Sequence, residues 1–346
     1  MAYTTINKST DYFNTKVYTG NGSNGHAITG VDFQPDLTWI KDRADTSYHI
    51  LTDAVRGATK QIYPNDVAAE YTDTTALQSF NTDGFTVGVS SSVNENGVSN
   101  VAWNWKAGGG QGSSNTDGSI NTTYTSVNTT AGFSISSYTG TGSNATVGHG
   151  LGVAPKMIIF KNLSSGNNWD VYHGSLANTE RLNLNESTAK STAASAFNST
   201  SPTTSVFSIG TAGNTNESGS SMIAYAFAEK TGYSKFGSYT GNGSSDGTFV
   251  YTGFKPAFVM IKRTNGAGSW LMLDNKRAGY NQSNYWLEAE TSDAEGTTAN
   301  WIDIFSNGFK LTLSGTNGNA DGSSYVYMAF AEAPLVGSNN VPCTAR

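Results

Sequence analysis

Charge is scarce in this 346-residue chain. Asp, Glu, Lys and Arg make up 13% of it, against about 25% in a typical soluble domain. Apolar residues are also few, at 37% against the usual 45–50% or so. There is no Lys/Arg cluster, and the net charge is −6. Nucleic acid is therefore not an expected partner, because phosphate binding needs a basic patch. No apolar run approaches the roughly 18 residues of a membrane helix, so membrane insertion is not expected either. Met1-Ala2-Tyr3-Thr4-Thr5 lacks a charged lead and an apolar core, which argues against a secretory signal peptide. The one cysteine, Cys343, permits neither an intrachain disulfide nor a cysteine-built zinc site. It reads as a free tail thiol or as a contact point between chains.

Catalytic signatures are missing as well. The four histidines His26, His49, His149 and His173 are scattered, and there is no Gly-x-Ser-x-Gly, His-Glu-x-x-His or Walker loop. Glu288 and Glu290 are a conceivable glycosidase pair, but alternate carboxylates on a strand are ordinarily just solvated. No catalytic residue and no cofactor is expected. Asn317 to Gly322 has the Asp/Asn/Gly make-up of an oxygen-ligand loop without the EF-hand spacing. It reads as a turn, and no metal site is expected.

What the chain does have is a stretch written three times. Tyr18-Thr19-Gly20, Tyr138-Thr139-Gly140 and Tyr239-Thr240-Gly241 open the copies. Pro35, Pro155 and Pro256 each precede an apolar run and stand six positions before Lys41, Lys161 and Lys262. The closing segments are Val101 to Trp105, Ile223 to Phe227 and Val326 to Phe330. Tyr and Pro shift together, by 120 (138 − 18, 155 − 35) and then by 101 (239 − 138, 256 − 155). A period this long is a small domain and not a solenoid unit.

Thirty-nine glycines and many Ser, Thr and Asn residues suit short strands joined by turns, and the 12% aromatic content argues against disorder. The expected fold class is all-β, with three tandem antiparallel β-sandwich repeats of jelly-roll or lectin-like form. The expected units are 1–107, a Gly/Ser/Thr/Asn-rich linker over 108–132, then 133–232 and 233–346. From 108 to 130 no apolar periodicity survives, which predicts a flexible or loosely pinned coil. Ser187 to Phe197 and Asp66 to Gln78 carry enough Ala for a turn or two of helix.

Counting from the shared Lys exposes a second constellation. Eight positions on stand His49, Trp169 and Trp270; twelve on, Asp53, His173 and Asp274; fifteen on, Arg56, Leu176 and Arg277. Asp274 and Arg277 could serve a sugar or an acidic ligand, while the simpler reading is a charge pair fixing a turn. The second copy replaces both charges, which argues against shared catalysis. Trp169, Trp270, Tyr285, Trp286 and Trp301 are candidate platforms for a sugar, and Tyr285 and Trp286 have the more polar setting. For each ring the simpler alternative is that it fills a core. The ligand-binding candidates are thus Trp169, Trp270, Tyr285, Trp286, Asp274 and Arg277.

The Tyr-Thr-Gly-Asn-Gly opening, the Pro-led strand ending in Lys, and Val326 to Pro334 resemble a tail-fibre-like repeat domain. That domain occurs in structural proteins of tailed bacteriophages, particularly of marine and cyanobacterial hosts, and is similar in outline to the concanavalin A-like lectin sandwich. The resemblance implies a non-enzymatic virion protein made in the host cytoplasm. It implies an exposed appendage in host-surface attachment, through weak multivalent contacts with host cell-surface glycan. Other virion proteins and further copies of the chain are the expected partners, although no coiled-coil heptad specifies a homo-oligomer. The alternatives are a capsid decoration or cement protein and, behind it, a polysaccharide depolymerase.

Overall fold

The computed structural model describes residues 4–277, 281 and 283–333. Within them the chain is all-β, with several antiparallel sheets and only brief helical turns. The strand that follows Pro35 or Pro155, or that takes in Pro256 as its second residue, lies at the middle of a large sheet. In the first sheet the spatial order is Phe13–Thr19, Ser99–Trp105, Leu37–Asp42, Ile50–Asp53, Lys60–Ile62 and Tyr71–Thr72. The second runs Tyr124–Asn128, Phe133–Thr139, Ser221–Phe227, Met157–Asn162, Asp170–His173, Glu180–Asn183 and Ser191–Thr192. The third runs Ser234–Thr240, Ser324–Ala333, Lys255–Arg263, Leu271–Asp274 and Leu287–Glu288. The pairings Leu37 with Trp105, Met157 with Phe227, and Phe258 with Phe330 occupy matching positions in the three sheets.

Each large sheet is covered on both faces, and side-chain alternation explains how. Leu37, Trp39, Leu51, Trp103 and Trp105 point to one side. Tyr18, Ile40, Ile50 and Ala102 point to the other, against Ile28, Leu77, Phe85 and Val87 of a small three-stranded sheet. The second and third segments build corresponding outer cores around Phe160 and Phe207, and around Leu273 and Phe309. The period of two is intact, but both classes of residue are apolar. That is why the Pro-led strands alternate only partly in sequence.

The inner faces of the three large sheets meet in one shared core. Trp39, Trp103 and Trp105 of the first segment, Ile159, Tyr225 and Phe227 of the second, and Phe258, Met260 and Met328 of the third belong to it. Phe13 stacks on Phe330 at 4.9 Å between ring centroids, which joins the first segment to the third. At roughly 1.5–3 kcal/mol for each large apolar side chain buried, this core is the main attraction between segments.

Three backbone hydrogen bonds close the arrangement into a ring. Glu70 N–H donates to the Leu163 carbonyl, Lys190 N–H to Thr264, and Glu295 N–H to Arg43, at 2.9 Å each. The first segment thus grips the second, the second the third, and the third the first.

Several local expectations need correction. The stretch from 108 onward is pinned, not loose. Ala107, Gly109 and Gly110 donate their N–H groups to the buried Asp36 carboxylate, and Tyr124–Asn128 adds a strand to the second sheet. Ala194–Phe197 is the only helical turn in the Ala-rich segment, and Asp66 to Gln78 is loop with the strands Tyr71–Thr72 and Leu77–Asn81 entering it. Two turns that were not expected, Ser91–Asn94 and Gly213–Asn216, lie where the Tyr-Thr-Gly motif needs them. Tyr18, Tyr138 and Tyr239 donate their hydroxyls to the carbonyls of Val93, Thr215 and Gly318, at 2.6–2.7 Å. A Cβ on Gly20 or Gly140 would lie 2.2 Å from the Glu95 or Glu217 carbonyl oxygen, so only glycine fits there. Cys343 lies outside the described residues.

Candidate ligand-binding site

Most of the charge that a ligand would need is consumed between segments. The Asp274 carboxylate accepts from Arg277 Nε at 2.7 Å and from the Trp103 indole of the first segment at 3.0 Å. Arg277 also reaches the Met272 carbonyl and Glu295, and its guanidinium lies 5.4 Å from the centre of the Trp103 ring. Asp53 and Arg56 repeat this pairing, and the Tyr225 hydroxyl of the second segment donates to Asp53 at 2.7 Å. In the third segment Met328 occupies the position of Trp103 and Tyr225 and has no donor to offer. Facing that segment, the second carries His173 instead of an acid, and His173 Nε2 lies 3.2 Å from the Tyr327 carbonyl oxygen. Burial lowers the His173 pKa to about 4, so the ring is neutral and can donate there. The switch from Asp to His follows from what the neighbouring segment presents.

Trp169 and Trp270 occupy the same inter-segment layer and are fully buried. The Trp169 indole donates to the Tyr63 and Asp66 carbonyls at 3.0 Å, and that of Trp270 to the Asn183 carbonyl at 2.8 Å. Trp169 therefore anchors a loop of the preceding segment, and Trp270 the end of the strand Glu180–Asn183. Four of the six sequence candidates, Trp169, Trp270, Asp274 and Arg277, are interior groups with no face open to a ligand.

The repeated lysines follow the same logic, and their role, unlike their spacing, shows only in the fold. Lys161 donates to the Val67 and Asn167 carbonyls at 2.7 Å. Lys262 donates to Ser187, Thr188 and Gly268, and Lys41 to Asp42 and Asp45, all between 2.6 and 2.9 Å. All three side chains are buried, and desolvation pushes each ammonium down to about 8. Asn94, Asn216 and Asn319 are further buried structural groups that sequence reasoning missed. Their amides tie the Gly turns in place, so the calcium-like loop at 317–322 is the third form of that turn. A signal was available: an Asn stands three positions before a Gly in each copy.

The remaining candidates stay partly open. Tyr285 lies under the Arg43 guanidinium, 5.6 Å from ring centre to charge. Trp286 meets Trp301 edge to face at 6.0 Å. Trp286, Leu287, Glu288, Thr291, Asp293, Ala294 and Gly296 line a concavity of about 260 Å³. Strand pairing of Leu287–Glu288 with Met272 and Leu271 fixes its floor, and mutual backbone hydrogen bonds between Trp286 and Gly296 fix its wall. Burial, then the charge of Glu290, holds the Glu288 carboxyl above the ordinary carboxylate range. Glu290 itself is committed to the Trp270 backbone N–H, at 2.9 Å. The concavity thus combines one indole, two acids and a hydroxyl, which suits a neutral polyol with an apolar face better than an anion.

A second, larger groove of about 380 Å³ lies between the first two segments. Arg56, Glu70, Tyr124, Ser137, Leu163 and Ser164 are among its walls. Its polar ends are mostly engaged, since Arg56 is bonded to Asp53 and Glu70. The Trp286 concavity is the stronger candidate.

Residues 8–334 match the model of a family described as a domain of unknown function, DUF7483. No curated protein and no solved structure matches the chain.

Proposed function

The chain belongs to the DUF7483 family, a domain of unknown function; from the resemblance of its repeated motifs to tail-fibre-like domains we propose that it is a non-enzymatic structural protein of a tailed-phage virion. In this reading it is an exposed, tail-fibre-like appendage that binds host-surface glycan weakly at the Trp286 concavity. It assembles there with other virion proteins and with copies of itself. The observation that carries the reading is the concavity: an aromatic ring beside Glu288, Thr291 and Asp293. The rigid frame supports it, because a site held on paired strands loses little freedom on binding.

The test has two arms. A map of the particle should place the chain on the tail, and the purified protein should bind polysaccharide from the host surface. Trp286→Ala should weaken that binding by about tenfold or more, equivalent to roughly 1.4 kcal/mol, with the fold intact. Unchanged binding in the variant would remove this site from consideration.

One observation favours a second reading, capsid decoration. Phe249, Tyr251 and Phe305 are 45%, 58% and 41% exposed on the outer small sheet of the third segment. Such a patch is a natural contact with a shell. The same map decides, because decoration requires the chain on the capsid with this patch covered.

A further inference from the structure

The first segment carries an oxygen cluster, built on the buried Asp42 and the exposed Asp45 and Glu95, that the second segment replaces with hydrogen-bonded groups. Ligand oxygens of Asp42, Asp45 and Glu95 all lie within 4.8 Å of one another. Asp42 is fully buried; its Oδ1 accepts the N–H groups of Ala44 and Asp45, while Oδ2 has no hydrogen-bond partner. Directly across the strand pair stands Asn100, also fully buried, and its Oδ1 is unpartnered too. Residues opposite one another in an antiparallel pair share a face. Asp42 and Asn100 thus each carry a buried, unsatisfied oxygen on one face of the strand pair, and the Asp45 and Glu95 carboxylates lie close to that of Asp42. An orphaned buried polar atom is costly, more so when charged, so the cluster needs a compensating group.

The second segment shows how the same place looks without that need. Asn162 corresponds to Asp42, Ser165 to Asp45 and Glu217 to Glu95. Asn162 Oδ1 accepts the Ser164 and Ser165 N–H groups, which is the Asp42 arrangement again. Its Nδ2, however, donates to Glu217 at 2.6 Å, and Ser165 Oγ donates to the same oxygen at 2.6 Å. Met222 replaces Asn100. Two donors and an apolar side chain thus stand where the first segment has two acids and an amide oxygen. Lys41 does not fill the gap: its neighbours alternate to the opposite face, and its ammonium is bonded to the Asp42 and Asp45 carbonyls.

We propose that Asp42, Asp45, Glu95 and Asn100 form a calcium site unique to the first segment. The ligand set is all oxygen and carries three carboxylates, the chemistry that Ca²⁺ takes at about 2.3–2.6 Å. Oxygens on opposite sides of such an ion are at most about 4.8 Å apart (2 × 2.4), and those of the three carboxylates fall inside that limit. The ion would tie the Leu37–Asp42 strand to the residue that follows the Ser91–Asn94 turn, as the Asn162–Glu217 hydrogen bond does in the second segment.

The test uses the full chain after EDTA treatment, with calcium chloride added to about 5 mM, above the 10⁻⁴–10⁻³ M range of weak extracellular sites. Tm should rise by several degrees and titration calorimetry should show one site, with magnesium chloride giving a much smaller effect. Asp42→Asn combined with Asp45→Ser copies the second segment, and should abolish the calcium response while raising Tm in EDTA above that of the parent. Glu95→Gln is the second variant, should the first fail to fold, and should likewise lose the response. A parent protein indifferent to calcium would overturn the proposal, as would a response undiminished in the folded variants.

Discussion

Raising the pH from 7 to 9.5 should make this protein more stable. Lys41, Lys161 and Lys262 have their pKa lowered by burial to about 8, from an ordinary 10.5. Between those values the unfolded chain holds a proton that the folded chain has released. Stability rises with pH wherever the unfolded state binds more protons, so the burial penalty is full below pH 8 and lifts as pH climbs toward 10.5. Between pH 7 and 9.5 each lysine contributes about 1.4 pH units at 1.36 kcal/mol per unit, or about 2 kcal/mol. The three together give about 6 kcal/mol. The deprotonated amine keeps hydrogens to donate, so the carbonyls it serves remain satisfied. Above pH 10 the trend reverses. Burial raises Tyr18, Tyr138 and Tyr233 in the folded state, and the unfolded chain then ionises its tyrosines first. Urea unfolding followed by tryptophan fluorescence at pH 7, 8, 9 and 9.5 measures the rise. Lys161→Met should remove about one third of it, or about 2 kcal/mol, and Lys262→Met a similar share. Stability that is flat over this range, or a rise of equal size in both variants and parent, would refute the assignment.

Three substitutions probe the contacts between and within segments. Tyr225→Phe deletes the hydrogen bond to Asp53 and should destabilise by about 1.5–3 kcal/mol in urea unfolding; a loss below about 0.5 kcal/mol would mean the contact is dispensable. His173→Asp introduces a buried carboxylate where the neighbouring segment offers only a carbonyl. It should cost about 3–5 kcal/mol at pH 7, and calorimetry should recover part of the loss at pH 5, where the acid can take a proton. Gly140→Ala drives a methyl into the Glu217 carbonyl and should cost about 1–3 kcal/mol, read as a fall in Tm.

Strand identity was legible because Pro35, Pro155 and Pro256 sit near a strand entry, where a missing N–H does least harm, and each precedes an apolar run. Pro256 departs slightly, lying inside Lys255–Arg263 at a register shift. The fate of Trp169 and Trp270 was not legible. Their indoles are satisfied by carbonyls 87 to 106 positions away, and a polar sequence neighbourhood gives no hint of that. The Asp-x-x-Arg pair was read as fixing a turn, which it does, but its second duty toward Trp103 and Tyr225 depends on the third dimension. Tyr285 and Trp286 were singled out for their polar setting, and both are among the rings that stay partly open. The Gly-rich stretch after 107 misled because Asp36, some 70 positions earlier, holds its N–H groups.

The ring formed by the Glu70, Lys190 and Glu295 contacts is made within one polypeptide. In an assembly of three identical chains every substitution is imposed at three places, and a change useful at one must be tolerated at the other two. Covalent continuity lifts that restriction. Asp42 opposite Asn100 occurs in the first segment, where the other two pair Asn162 with Met222 and Arg263 with Tyr325. The chain keeps the mechanical closure of a trimer while each sector is free to take up separate work.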